Sequence, residues 1–185
     1  MADFKKLFPR ILDSEGRSYE NVPGDNGGPT KMGVILSEWK VKGYDKNGDG
    51  KIDENDLKLI TEEDAYKIYK INYWDVIKGD EIKNQVIAEY ICDWGVNCGI
   101  GLSVKKCQII LGLEADGKFG PKTLEEINKA NQKDLFTKLV ESRTLYYKAI
   151  VDNHPVQSKF LKGWLARKNS FKFIDQLDNK SDNIA

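Results

Sequence analysis

A helical apolar stripe that stops on a carboxylate and a glycine constrains this chain more than any other stretch. Phe4, Leu7, Phe8, Ile11 and Leu12 fall at the spacing of one helix face, and Glu15 continues that face one turn beyond Ile11. Gly16 follows at once and suits a left-handed helix cap. Glu15 is therefore expected on an apolar face at the negative end of a helix dipole. Both conditions favour the neutral, proton-carrying form of the carboxyl group. Pro9 lies inside this helix at a cost of roughly 3 kcal/mol, so a bend or a late start is expected there. Beyond Gly16 the chain is too rich in Gly, Asn and Pro for regular structure, and Asp25 and Thr30 fall in that loop.

A protonated acid, a second carboxylate and a hydroxyl, in that order, suit general-acid cleavage of a glycosidic bond. Glu15 is the candidate acid, Asp25 the base that activates water, and Thr30 the hydroxyl that holds the water. The stretch EGRSYENVPGDNGGPTKMGV resembles the "EGGY…NDPGGPTNYGI" opening of the N-acetylmuramidases of glycoside hydrolase family 108, whose fold is lysozyme-like. The family's catalytic glutamate falls on Glu15. Arg17 stands where a second glycine is usual, which alters the lip of the cleft and leaves the carboxylate untouched. The resemblance runs from about Phe4 to Gln176 and includes EEDAYKIYKINYWD, ICDWGVNCGIG and the GW..R of Gly163, Trp164 and Arg167. It implies a peptidoglycan hydrolase, of lysozyme activity, that cleaves the β-1,4 bond between N-acetylmuramic acid and N-acetylglucosamine.

Tyr19, Asn26, Tyr73, Trp74 and Asn97 are the substrate-binding candidates. Tyr73 and Trp74 suit either a sugar groove, where aromatic faces meet pyranose C–H faces, or plain core. Asp93 and Asn97 lie a turn apart in residues 82–98, a helix apolar on nearly every face and hence central. They either back the cleft or form a structural buried pair. ADGKFGPKTL resembles an element of peptidoglycan-binding modules and reads equally well as a glycine-rich connector. The competing functions are a lytic transglycosylase using Glu15 alone, a non-catalytic wall-binding or secretion-assisting protein, and a calcium sensor.

DKNGDGKIDEND, residues 45 to 56, carries the second motif. Asp45, Asn47, Asp49, Gly50, Asp53 and Asp56 occupy positions 1, 3, 5, 6, 9 and 12 of a calcium loop, and Lys51 offers its carbonyl at position 7. Asp56 stands where an EF-hand has glutamate, which resembles the calcium repeats of dockerins. The expected role is a structural Ca2+ in an insertion, residues 43–60. Thr61 with Asp64 then predicts a capping box and a helix whose inner stripe is Ala65, Ile68, Tyr69 and Asn72.

Further helices are expected over Val104–Leu111, from Pro121 as a first helical residue, over Asp134–Val151 with Leu135, Leu139, Ser142, Tyr146 and Ile150 on one side, and over the segment beginning at Phe160. The lone His154 has no partners for a zinc site. The expected class is mainly α: one lysozyme-like domain over 1–185. Within it, residues 1–90 form the catalytic region and residues 91–178 a helical peptidoglycan-binding-like region. Lys+Arg 29 against Asp+Glu 29 leaves no basic field for nucleic acid. The expected partner is peptidoglycan, bound by a monomer without membrane insertion. MADFKKLFPR lacks the apolar segment of a secretory signal. Synthesis in the cytoplasm is therefore expected, with action on the wall after release through a holin, as for phage lysins, or a secretion system. Three cysteines (Cys92, Cys98, Cys107) in such a chain are expected to be reduced.

Overall fold

A computed structural model describes residues 1–21 and 28–174. Asp25, Asn26 and the polar tail DNKSDNIA lie outside the described residues. The described chain is mainly helical, as the lysozyme-like reading expects, and falls into two compact units, Phe4–Asn72 and residues 1–3 with the chain from Tyr73 on.

In the first unit, α1 (Phe4–Glu15) runs through Pro9 with Phe4, Leu7, Phe8, Ile11 and Leu12 buried. A proline there removes one backbone bond, while the apolar stripe keeps its packing: Tyr66 lies 4.9 Å from the ring of Phe4 and 5.1 Å from that of Phe8. Three short antiparallel strands follow, β1 (Tyr19–Glu20), β2 (Thr30–Lys31) and β3 (Val34–Ile35), in the order β1-β2-β3. Tyr19 faces Lys31, Glu20 faces Thr30, and Lys31 faces Val34. The sequence predicts no strand here, because two-residue strands are too short to show alternation. A helix, α2 (Leu36–Lys42), follows β3 directly and stops at Gly43. Two capping boxes open the next helices: Asp53 with Asp56 on α3 (Glu54–Leu59), and Thr61 with Asp64 on α4 (Glu62–Tyr69). Asp64, Ala65, Ile68 and Tyr69 are the buried residues of α4, and a π-helical turn, Lys70–Trp74, continues it.

In the second unit, Asn84 caps α5 (Gln85–Cys98) by accepting from the N–H groups of Val86 and Ile87, and every residue from Ile87 to Gly95 is buried. α6 (Ile100–Ile110), α7 (Pro121–Lys129), α8 (Gln132–Asn153) and α9 (Ser158–Asn169) follow. The buried face of α8 is Leu135, Phe136, Leu139, Arg143 and Tyr147, which departs from the expected stripe through Ser142 and Tyr146. An arginine belongs on the outside unless a carboxylate awaits it, and here Asp93 does. All three cysteines are free thiols, and burial pushes that of Cys107 up to about 12. No helix among the described residues is long and apolar enough to cross a membrane.

Candidate active site

Glu15 is the last residue of α1 and is half-buried. Gly16, at φ 79°, ends the helix and returns its N–H to the Leu12 carbonyl at 2.9 Å. The turn joining β2 to β3 lies against this helix end. Its two residues, Met32 and Gly33, both have positive φ (53° and 72°), the geometry that lets a two-residue hairpin follow the strand twist. A methyl group at Gly33 would stand 2.9 Å from both Cβ and Cγ of Glu15 and would collide with the Tyr69 hydroxyl. Glycine is required at this position on both counts. The left-handed backbone of Met32 is offset by a buried contact: Tyr69 Oη donates to the Met32 carbonyl at 2.9 Å. The hairpin is thereby pinned from α4 while its turn covers the Glu15 side chain.

Thr30 lies on the same hairpin, where its hydroxyl donates to the Val34 carbonyl at 3.2 Å. A donating hydroxyl keeps its lone pairs free to accept from a water. Tyr19, on β1, is half-buried and donates its hydroxyl to Glu54 Oε1 at 2.5 Å. Arg17, the departure at the lip, is exposed and pairs with Asp13 at 2.9 Å and Glu62 at 3.1 Å. Glu15, Tyr19 and Thr30 thus belong to the first unit, whereas Tyr73, Trp74 and Asn97 belong to the second. Trp74 is fully buried, and its Nε1 donates to Asp80 at 2.7 Å. Gly79 lies on its indole. That placement makes Trp74 core and leaves no ring face for a sugar. Tyr73 is half-buried.

Asn97 accepts from Tyr147 Oη at 2.6 Å, and Tyr147 Oη in turn accepts from Arg143 Nε at 2.7 Å. Arg143, fully buried, reaches Asp93 Oδ2 at 2.9 Å, and Arg167 of the GW..R segment reaches Oδ1 of the same carboxylate at 2.9 Å. Trp164 stacks on Tyr147 with ring centres 5.3 Å apart. Asp93 and Asn97 are therefore members of one polar network that runs Asn97–Tyr147–Arg143–Asp93–Arg167 and links α5, α8 and α9. Arg143 is its centre, and sequence reasoning missed it. The available signal was the i, i+4 series Leu135, Leu139, Arg143, Tyr147, read together with a carboxylate in an all-apolar helix.

The loop from Asp45 to Asp56 turns through Gly48 and Gly50 at φ 78° and 84°. Its side-chain oxygens face backbone N–H groups. Asp45 accepts from Gly48 and Gly50, both at 2.7 Å, Asn47 accepts from Asp49 at 2.9 Å, and Asp49 accepts from Lys51 at 2.9 Å. Asp53 accepts from Asn55 at 2.7 Å. Asp56 is buried and accepts from Lys46, Asn47 and Asp53; these N–H groups, that of Asp53 foremost, hold its carboxyl below the usual range. Among the described residues no group of three or more His, Cys, Asp or Glu side chains is arranged to hold a metal. The donor set, oxygen throughout, fits a hard cation such as Ca2+ in chemistry.

The family model described as Glycosyl hydrolase 108 matches residues 8–99, and that described as Predicted Peptidoglycan domain matches residues 102–169. No curated protein matches the chain. Among solved structures the chain is similar to SagA of Brucella abortus, at 24% identity and a TM-score of 0.69, over 93% of this chain and 97% of that one. At that identity the likeness speaks for the fold.

Proposed function

We propose that this chain, which belongs to the Glycosyl hydrolase 108 family and is a glycoside hydrolase of peptidoglycan, is an N-acetylmuramidase with Glu15 as its general acid. The observation that carries the reading is the seating of Glu15 at the end of α1, under the Met32–Gly33 turn of the hairpin that bears Thr30. A glutamate whose Cβ and Cγ lie against a pinned turn has its side-chain orientation restricted, which favours proton transfer to a leaving oxygen. Glu15 protonates the oxygen between N-acetylmuramic acid and N-acetylglucosamine while the sugar ring flattens towards an oxocarbenium ion. Asp25 takes a proton from water on the opposite face, and Thr30 Oγ1 accepts a hydrogen bond from that water. Two carboxyl groups about 6.5–9.5 Å apart leave room for the water and give inversion. Tyr19 and Asn26 serve as sugar contacts.

Product analysis tests the assignment. Muropeptides released from purified peptidoglycan are expected to end in reducing N-acetylmuramic acid, with the anomeric configuration inverted. Ends in 1,6-anhydro-N-acetylmuramic acid would instead assign a lytic transglycosylase, in which Glu15 works without an activated water.

The Asp45–Asp56 loop is proposed to hold a structural Ca2+, with side-chain oxygens from Asp45, Asn47, Asp49, Asp53 and Asp56 and the carbonyl of Lys51. The support is the oxygen-only donor set at alternate positions and the two left-handed glycines that turn the loop. When bound, the ion supplies folding free energy and no step of the reaction.

A further inference from the structure

We propose that α3, which leaves the inserted loop, clamps the substrate-facing sheet, with Glu54 as the positioning residue for Tyr19. The proposal rests on the reading of Tyr19 as a sugar contact beside a catalytic Glu15. Tyr19 and Lys31 face each other across β1 and β2, and α3 grips both. Tyr19 Oη donates to Glu54 Oε1 at 2.5 Å, and Lys31 Nζ donates to the Lys58 carbonyl at 2.5 Å. Glu54 and Lys58 lie one turn apart and pair at 2.8 Å, while the Lys58 ammonium stands over the Tyr19 ring at 5.1 Å.

Magnitudes decide what this arrangement is for. Glu54 and Lys58 are 38% and 46% exposed, and ion pairs so exposed contribute little to stability. A strand of two residues, by contrast, has too few ladder bonds to fix its own place. Three contacts converging on one facing pair, backed by the Glu54–Lys58 ion pair, therefore add little to folding and much to the placement of Tyr19. With its hydroxyl committed to Glu54 and one ring face to Lys58, Tyr19 presents a fixed opposite face to a pyranose ring. Thr30 adjoins Lys31 on β2, so the same grip sets the register of the hydroxyl proposed to hold water.

The test uses the full chain on soluble, uncross-linked glycan strands. Glu54→Gln and Tyr19→Phe are each expected to raise KM about fivefold, the ratio that one hydrogen bond contributes, with kcat within about twofold and Tm within about 2 °C. The double variant is expected to be no worse than either single one, because both remove the same bond. Glu63→Gln, which breaks the more exposed Glu63–Lys67 pair on α4, is expected to leave KM unchanged. An unchanged KM in Glu54→Gln, multiplying effects in the double variant, or an equal rise in Glu63→Gln overturns the clamp. If Glu15→Gln is inactive while the clamp variants behave as wild type, the clamp alone fails. A fully active Glu15→Gln removes the reading on which the clamp rests.

Discussion

Gly33 and Glu15 are eighteen positions apart in sequence and in van der Waals contact in the fold, close enough that one added methyl group at residue 33 would stand 2.9 Å from the Glu15 side chain. A hairpin turn and a helix end are thereby locked together at the candidate acid. Gly33→Ala is expected to cost about 1–3 kcal/mol through overpacking, together with roughly 1–2 kcal/mol for its left-handed backbone, and to abolish most peptidoglycan clearing. Gly112→Ala carries a similar backbone penalty at φ 68° with nothing within 4 Å. It is expected to lower Tm and spare activity. Equal activity in the two variants would show that the contact with Glu15 is immaterial.

The Asp93 carboxylate answers two guanidinium groups in a site with almost no solvent. Asp93→Asn strands the fully buried Arg143 without its counter-charge, and breaking a buried pair in this way costs about 3–5 kcal/mol. Arg167→Ala leaves the Arg143–Asp93 pair intact and is expected to cost less. Thermal unfolding measures both. A loss of under about 1 kcal/mol for Asp93→Asn would mean that the network is dispensable.

Asp64 sets an acid limit on the first unit. Burial by itself would raise its carboxyl, but hydrogen bonds from Lys46, Thr61 and Tyr44 outweigh this and hold it at about 2. Lys46 Nζ lies 2.7 Å away. Because the folded value lies below the ordinary value of 3.8, the stabilisation is fully present above about pH 4 and is lost as pH falls towards 2. A shift of this size corresponds to about 2 kcal/mol. Asp64→Asn is expected to flatten the stability profile between about pH 4 and 2; an unchanged slope would assign the acid sensitivity elsewhere.

Calcium ligation is expected to raise Tm relative to a chelated sample. Saturation at about a hundred times Kd contributes about 2.7 kcal/mol. Asp49→Ala is expected to remove the difference. Coincident melting curves with and without chelator, and no heat of binding in calorimetry, would reduce the loop to a turn closed by its own N–H groups.

Elements governed by local chemistry were legible in the sequence. The stripe from Phe4 to Leu12, the Thr61–Asp64 capping box, the first-position Pro121 and the all-round apolar α5 each announce themselves within a few residues. What stayed hidden depends on distant partners. Arg143 reads as a surface residue until Asp93, fifty positions away, neutralises it. Trp74 reads equally as groove or core until Asp80 and Gly79 close around it. The β-sheet has strands too short for any periodicity, and its register depends on α3 and α4, which come later in the chain. Of the candidate site, Glu15 and Thr30 were visible as residues, while the turn that covers Glu15 was not.

The most direct measurement is turbidity clearing of purified peptidoglycan by wild type, Glu15→Gln and Asp25→Asn, each with its melting curve. Glutamine keeps the shape of Glu15 and removes the transferable proton, so the glycosidic oxygen must leave unassisted. Positioned acid catalysis contributes roughly 10²–10⁴-fold, and Glu15→Gln is expected to lose at least that much at unchanged Tm, with Asp25→Asn nearly as impaired. A folded Glu15→Gln variant that clears peptidoglycan at the wild-type rate would contradict the assignment of Glu15 as the acid.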